Sequence, residues 1–319
     1  MKKVMLSLIV MSTIAIVGCK KNEVVPPPTS TSNLSSLFSD NENDAKQSFS
    51  IDASIWNSFT GQNGVKITVP PNSFVNSNGT TVTGAINLEL IEVLKVSDMV
   101  WLNKTTTSNG ELLVSGGQIK LTATQNSSQI FLVPGVAVQV KIPTANANNQ
   151  MALFTGNQTS TGDVNWITTV GDTTQQDSII IVSENIGNAG SQDYYSFDFD
   201  NDSLGWINCD YFYGSTGATT NVIAQLDTIY NYTNTQCYMV FPSINSVASL
   251  FPNYSTNNGT FTNSYSIPVG LAVTFVCISE IDGVYYSAFV NSTLVSNHNE
   301  SISMTQTTLS AIQSEINGL

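Results

Sequence analysis

Apolar residues recur at every second position along much of the chain. Between Gly84 and Leu94, Ile86, Leu88 and Leu90 alternate with Asn87 and Glu89. This two-residue period marks a strand with one face on a core and the other toward water. The runs "GVKITVPP", "SQIFLVPG" and "VAVQVKIP" are short, β-prone and closed by Pro or Gly. "NSNGTT" and "TSNGEL" hold Asn-Gly pairs, which accept the positive φ of tight hairpin turns. The second half continues with "DSIIIVS", "YYSFDF", "TNVIAQL", "QCYMVF", "LAVTFVCIS" and "GVYYSAFV", spaced by turn residues as in a sandwich. Only the end changes period. In "SMTQTTLSAIQSEINGL", Leu309, Ile312 and Ile316 fall at three- and four-residue steps and predict a short helix stopped at Gly318.

The first residues follow another logic. In "MKKVMLSLIVMSTIAIVGCKKNE", Lys2 and Lys3 precede an apolar run from Val4 to Val17, then Gly18 and Cys19. These are the parts of a secretory signal, and the run is too short to span a bilayer as a helix. "IVGC" resembles the bacterial lipobox. That resemblance implies cleavage before Cys19 and acylation of its thiol and new amino terminus. Several acyl chains on one residue anchor stably where one alone is marginal. Next comes "KKNEVVPPPTSTSNLSSLFSDNENDAKQ", rich in Pro, Ser, Thr and Asn and without apolar period, which reads as a linker.

The expected organisation is all-β. Residues 1–18 form the signal peptide, and 19–47 the lipidated Cys19 with a flexible linker. Residues 48–148 form an antiparallel β-sandwich domain and 149–319 a second β-rich region. That makes two sandwich domains, or three if the second region divides near 215. The expected location is the outer membrane, lipid-anchored, on its periplasmic or surface face.

Charge narrows the partners. The formal net charge is −13, and the ten basic residues are all lysine. The last is Lys141; from Ile142 onward there are fourteen Asp and Glu and only His298 on the basic side. A nucleic-acid binder needs cations to displace counterions, so that class is excluded. Anionic ligands are disfavoured for the C-terminal half on the same ground. The partners left are the membrane, through the anchor, and a protein or glycan.

Beyond Cys19 the cysteines are Cys209, Cys237 and Cys277, each in an apolar run. Buried thiols acting as small hydrophobes fit these runs. A secreted protein also permits disulfides, and one disulfide with one free thiol is the alternative; sequence alone does not choose the pair.

Little else in the chain looks like chemistry. His298 lies in "SNHNES" and reads as an isolated surface histidine. There is no G-x-S-x-G, no C-x-x-C or H-E-x-x-H, and no phosphate-binding Gly-rich loop. Acidic residues are plentiful, but no spacing marks a glycosidase pair. No catalytic residue and no cofactor is expected. Tyr194, Tyr195, Tyr211 and Tyr213 crowd one region where exposed rings would suit a sugar, although core packing explains most such residues.

The one candidate metal set is Asp198, Asp200 and Asp202 in "SFDFDNDSLGWINCDYF", with calcium the ion. A calcium loop beginning at Asp198 wants Gly at its sixth place and an acid at its twelfth; those places hold Ser203 and Cys209. A strand fits better. Tyr195, Phe197 and Phe199 would share the core face, Asp198 and Asp200 the wet face, with a turn at Asn201–Gly205 and a second strand from Trp206. A separate pattern recurs at Asp172, Asp177, Asp202 and Asp227, each followed by Ser or Thr and then a small or apolar residue. It resembles the O-glycosylation acceptor of secreted Bacteroidota proteins and implies Thr173, Ser178, Ser203 and Thr228 as acceptors. Asp-Ser and Asp-Thr are also ordinary turn formers.

Phe49 to Val93 carries a further resemblance. The turn Gly61–Gly64, the strand Val65–Val69, the phrase "VPPNSF" and a later strand ending in an acid are similar to the β-sandwich module of ankyrins and netrin receptors. "SNGELLVSGG" and "GWINCDYF" resemble phrases of an uncharacterised group of Bacteroidota outer-membrane lipoproteins. The last hundred residues resemble transthyretin-like sandwiches. The first of these resemblances implies interaction domains rather than enzymes, by analogy only. The expected function is therefore a non-enzymatic binding or structural module of the cell envelope. The alternative is a carbohydrate-binding or carbohydrate-active lipoprotein of a glycan-uptake system.

Overall fold

A computed structural model describes residues 34–159, 162–168, 179–187, 190–214, 217–254, 258–264 and 267–319. The all-β expectation holds: antiparallel sheets dominate, with three α-helices, α1 at Leu34–Asp44, α2 at Val96–Leu102 and α3 at Leu309–Ile316. Sheet I runs in the order Gln47–Asp52, Ala85–Val93, Glu111–Gln125, Gly205–Phe212, Ala152–Gln158, Val164–Thr168. Sheet II runs Ile180–Asn185, Ser191–Phe199, Val138–Thr144, Lys66–Val69, Asn57–Thr60. Their facing side chains meet in one cluster, with Leu88, Leu90, Ile119, Leu121 and Ile207 from sheet I against Ile67, Val140, Ile142, Tyr195, Phe197 and Phe199 from sheet II. This is a two-sheet sandwich.

The expected boundary at 148 is corrected by this pairing. Val138–Thr144 lies beside Ser191–Phe199, and Glu111–Gln125 beside Gly205–Phe212. Both sheets therefore draw strands from either side of 148, and the sandwich runs to Phe212. The stretch with the three aspartates is where the chain crosses from sheet II to sheet I. Ser191–Phe199 ends in one layer, a turn follows at Asp202 and Ser203, and Gly205–Phe212 begins in the other.

A third sheet holds the remainder. Its order is His298–Ser301, Val222–Gln225, Thr260–Thr262, Ser246–Pro252, Thr235–Phe241, Ala272–Ile281, Val284–Thr293, Thr305–Thr307. All its neighbours are antiparallel except Val222–Gln225 with His298–Ser301. The sheet curls, so Val222 and Ala224 near one end join Cys237, Phe275, Ala288 and Ile302 in a single cluster. Its other face is apolar too. Tyr238, Val240, Val276 and Ile278 pack with Met99 and Val100 of α2 and Ile312 and Ile316 of α3. Strands buried on both faces read as continuous apolar runs, which is why "CYMVF" and "VTFVCI" show no alternation.

The linker expectation is corrected at its end. α1 falls inside 19–47, and its Leu34, Phe38 and Asn41 are buried. Leu34 and Phe38 join the apolar layer between the sandwich and the third sheet, and Glu42 meets Lys104 and Lys120 at 2.9 and 2.7 Å. Composition misled here because the docking partners lie some sixty or more residues downstream.

Glu92, the acid that closes the strand Ala85–Val93, is also explained. It is buried, and its carboxylate accepts from the backbone N–H of Asn63 and Val65 at 2.9 Å each. It thereby clamps the Gly61–Gly64 turn. A side chain at Gly61 would come within 2.6 Å of that carboxylate, so a glycine is needed there.

Candidate functional site

The site grows from "SGG". Opposite Gly205–Phe212, Gln118 faces Asn208 while Ser115 faces Asp210, so Gly116 and Gly117 share Cys209 as their one partner. This is a β-bulge, which kinks the strand and re-aims its side chains. Gly117 has φ +126, where L side chains are strained. Gly116 lies so close to the Cys209 carbonyl and the Tyr195 ring that a Cβ there would sit 2.8 Å from each.

The bulge opens onto a cleft of about 400 Å³ at the junction of the sandwich and the third sheet. One wall is the loop after Pro143. Tyr195 holds it, its hydroxyl accepting from Asn148 N–H at 2.9 Å and donating to the Asn146 carbonyl at 3.2 Å. Asn245, at φ 47, forms the opposite wall and donates to the carbonyls of Leu94 and Ser115 at 3.0 and 3.1 Å. Tyr211, Thr144 and Ser243 complete the polar lining. Among the lining residues there is no carboxylate, lysine, imidazole or thiol.

Behind the bulge sits a buried polar group. Asp210 is fully buried; Asn208 Nδ2 donates to its Oδ2 at 2.5 Å, and its Oδ1 has no hydrogen-bond partner. Burial raises this carboxyl well above the ordinary aspartate range, outweighing the lowering by Ser115, Asn208 and the Gly116 N–H. An acid whose folded pKa is raised costs stability once pH climbs past its unfolded value. Asp210→Asn is therefore expected to be more stable than the parent at neutral pH, by a margin that grows as pH rises above the unfolded aspartate value, about 3.9. Urea unfolding at several pH values measures it, and a margin that stays flat with pH contradicts it.

A second cluster lies under α1. Lys104 is 1% exposed, and it donates to Glu42 and to the Gly162 carbonyl at 2.9 and 2.5 Å. Its ammonium and that of Lys120 stand over the Trp206 ring, 5.3 and 5.4 Å from the centroid. Burial pushes Lys104 below the ordinary lysine range, against Glu42 and Asp163, which raise it. Burial also tends to raise Glu42, but Lys120 and Lys104 outweigh it and hold the carboxyl below its ordinary value. A cavity of about 200 Å³ beside the pair is bounded by Phe38, Ser39, Gln158 and Thr159. α1 covers the pair, so the cluster is an internal clamp.

The residues singled out from sequence are dispersed. Tyr195, Phe197 and Phe199 are buried in the sandwich core; Asp198 is exposed and Asp200 half-buried at the strand end. Asp202 is exposed in the turn. Among the described residues no three Asp, Glu, His or Cys are grouped as a metal ion requires. Tyr195 and Tyr211 both reach the cleft, whereas Tyr194 is buried under the Lys66 ammonium. His298 is a correction: it is 5% exposed, stacked on Phe275 at 5.6 Å, with Nε2 3.2 Å from Glu300. Pairing of its strand with Val222–Gln225 draws it inward. Ser203 and Thr228 stand exposed in turns; Cys19, Thr173 and Ser178 lie outside the described residues. The three described cysteines, Cys209, Cys237 and Cys277, are all buried. Sequence reasoning missed the Glu42–Lys104 clamp and the Asp210 group; a lysine between "WLN" and "TTT" and an Asn-Cys-Asp triplet were the only local signals. Among the described residues, no helix is long and apolar enough to cross a membrane.

No protein-family model matches the chain, and no curated protein is significantly similar to it.

Proposed function

We propose that this chain is a non-enzymatic binding module of the bacterial cell envelope, held to the outer membrane by lipidated Cys19. The reading that it is kin to Bacteroidota lipoproteins, with a first module like that of ankyrins and netrin receptors, belongs to the same proposal. Binding rather than catalysis is supported by the cleft. Its lining offers hydroxyls, amides and two tyrosines, but no carboxylate, imidazole, amine or thiol to activate them. Glycoside hydrolysis needs two carboxyl groups flanking the bond, and the lining carries none. The exposed turns at Ser203 and Thr228 are compatible with O-glycosylation there.

The same lining favours the carbohydrate-binding form of the alternative. Uncharged amides and hydroxyls with a partly exposed ring suit a neutral polyhydroxylated ligand. Neutral oligosaccharides titrated calorimetrically onto the full chain in detergent are expected to bind, and Tyr211→Ala to weaken binding about tenfold, the loss of a modest aromatic contact. Release of reducing ends would overturn the non-enzymatic reading; binding indifferent to Tyr211→Ala would remove the cleft from it. In the native host, Cys19→Ala is expected to move the protein to the soluble fraction. Retention in membranes would place the anchor elsewhere.

A further inference from the structure

The third sheet sets two of the three described thiols face to face. In the antiparallel pair Thr235–Phe241 with Ala272–Ile281, Cys237 stands directly opposite Cys277, in an unbroken register. Both side chains are fully buried and point into the same apolar cluster. The kind of pair follows from the strand ends. Glu280 N–H donates to the Asn234 carbonyl at 3.0 Å, so 234 and 280 form a hydrogen-bonded pair. Hydrogen-bonded and non-hydrogen-bonded pairs alternate along an antiparallel ladder. Counting from 234/280, the pair 235/279 is non-hydrogen-bonded, 236/278 is hydrogen-bonded, and 237/277 is again non-hydrogen-bonded. In such pairs the Cα atoms approach to about 4.5 Å and the side chains come closer. Disulfides span Cα separations of roughly 4.4–6.8 Å. The neighbouring pair of the same kind shows the approach directly, with the hydroxyls of Thr235 and Ser279 only 3.1 Å apart. Cys209 is no competitor, since it belongs to the sandwich core.

We propose that Cys237 and Cys277 form a cross-strand disulfide that locks the centre of the third sheet. It closes by exchange with a donor disulfide, either that of a thiol–disulfide oxidoreductase or a small one such as oxidised glutathione. The thiolate of one cysteine attacks a donor sulfur and expels one donor thiolate. The second cysteine then attacks the mixed disulfide and expels the other. Two protons leave the pair, and the two electrons reduce the donor to its thiols. In the finished fold burial holds the Cys237 thiol well above its ordinary pKa, so exchange belongs to the period when the two strands are pairing and the core is still open.

The inference rests on the ladder alone and stands apart from the cleft and the anchor. Its test is the full chain, unfolded, refolded in a glutathione redox buffer, then denatured and alkylated. Peptide mapping is expected to find a linked pair of peptides holding Cys237 and Cys277, lighter than the reduced pair by two hydrogen atoms, with Cys209 alkylated. The linked protein is expected to unfold about 5–10 °C higher than the same protein after reduction. The Cys209→Ser variant should keep the link. Alkylation of both Cys237 and Cys277 after refolding would overturn the proposal, and so would a link made through Cys209 or Cys19.

Discussion

Glu42→Ala is expected to destabilise the protein by about 3 kcal/mol and to release α1, because it strands a lysine that has almost no contact with water. Lys104 is 1% exposed and shares the Glu42 carboxylate with Lys120. Removing one partner of a buried ion pair leaves the other charge without compensation, whereas removing both is far less damaging. Lys104→Met in the Glu42→Ala background should therefore recover much of the loss. Chemical unfolding of the four chains of this cycle measures it, and limited proteolysis near residue 34 reports α1. Equal destabilisation by the single and double variants would show that Lys104 does not depend on Glu42. The same pair sets an acid limit. Glu42 is held below its ordinary value when folded. Its contribution is thus present above the unfolded carboxyl pKa, about 4.3, and is lost as pH falls through the lower folded value. Glu42→Ala should lose less stability than the parent over that acid range.

Gly116→Val is expected to cost about 3 kcal/mol, the upper part of the range for overpacking, because one of its contacts is backbone. A Cβ at this position meets the Cys209 carbonyl and the Tyr195 ring at 2.8 Å. A ring can shift, but the carbonyl belongs to the bulge itself. Gly116 also lines the cleft, so displacement of Tyr195 would loosen the loop that its hydroxyl holds. Gly214→Val is the matched control, since a Cβ there meets nothing within 4 Å and neither glycine has a positive φ. Its cost therefore reports the loss of glycine without a clash. Thermal unfolding of both variants separates the two effects. If Gly214→Val costs as much as Gly116→Val, the close approach at the bulge is not what demands glycine.

The alternation of Ile86, Leu88 and Leu90 determined a strand by itself, as did that of Tyr195, Phe197 and Phe199, because a strand with one buried face writes its period into adjacent residues. α3 was legible for the same reason: Ile312 and Ile316 are its buried residues. The expectations of a secretory start and of no nucleic-acid partner likewise rest only on composition and order. What joins distant segments was decided by tertiary structure. The boundary at 148 fails because Val138–Thr144 takes its partner from Ser191–Phe199, and nothing local to either strand encodes that choice. α1 is polar by composition, and its Leu34, Phe38 and Glu42 acquire meaning only against an apolar layer and two lysines far along the chain. His298 looked exposed among polar neighbours until a parallel partner drew it onto Phe275. The cysteines show the division most sharply. Apolar flanks were enough to bury all three, but only the register of two strands puts Cys237 opposite Cys277, because a register is a property of a pair of segments and not of either one.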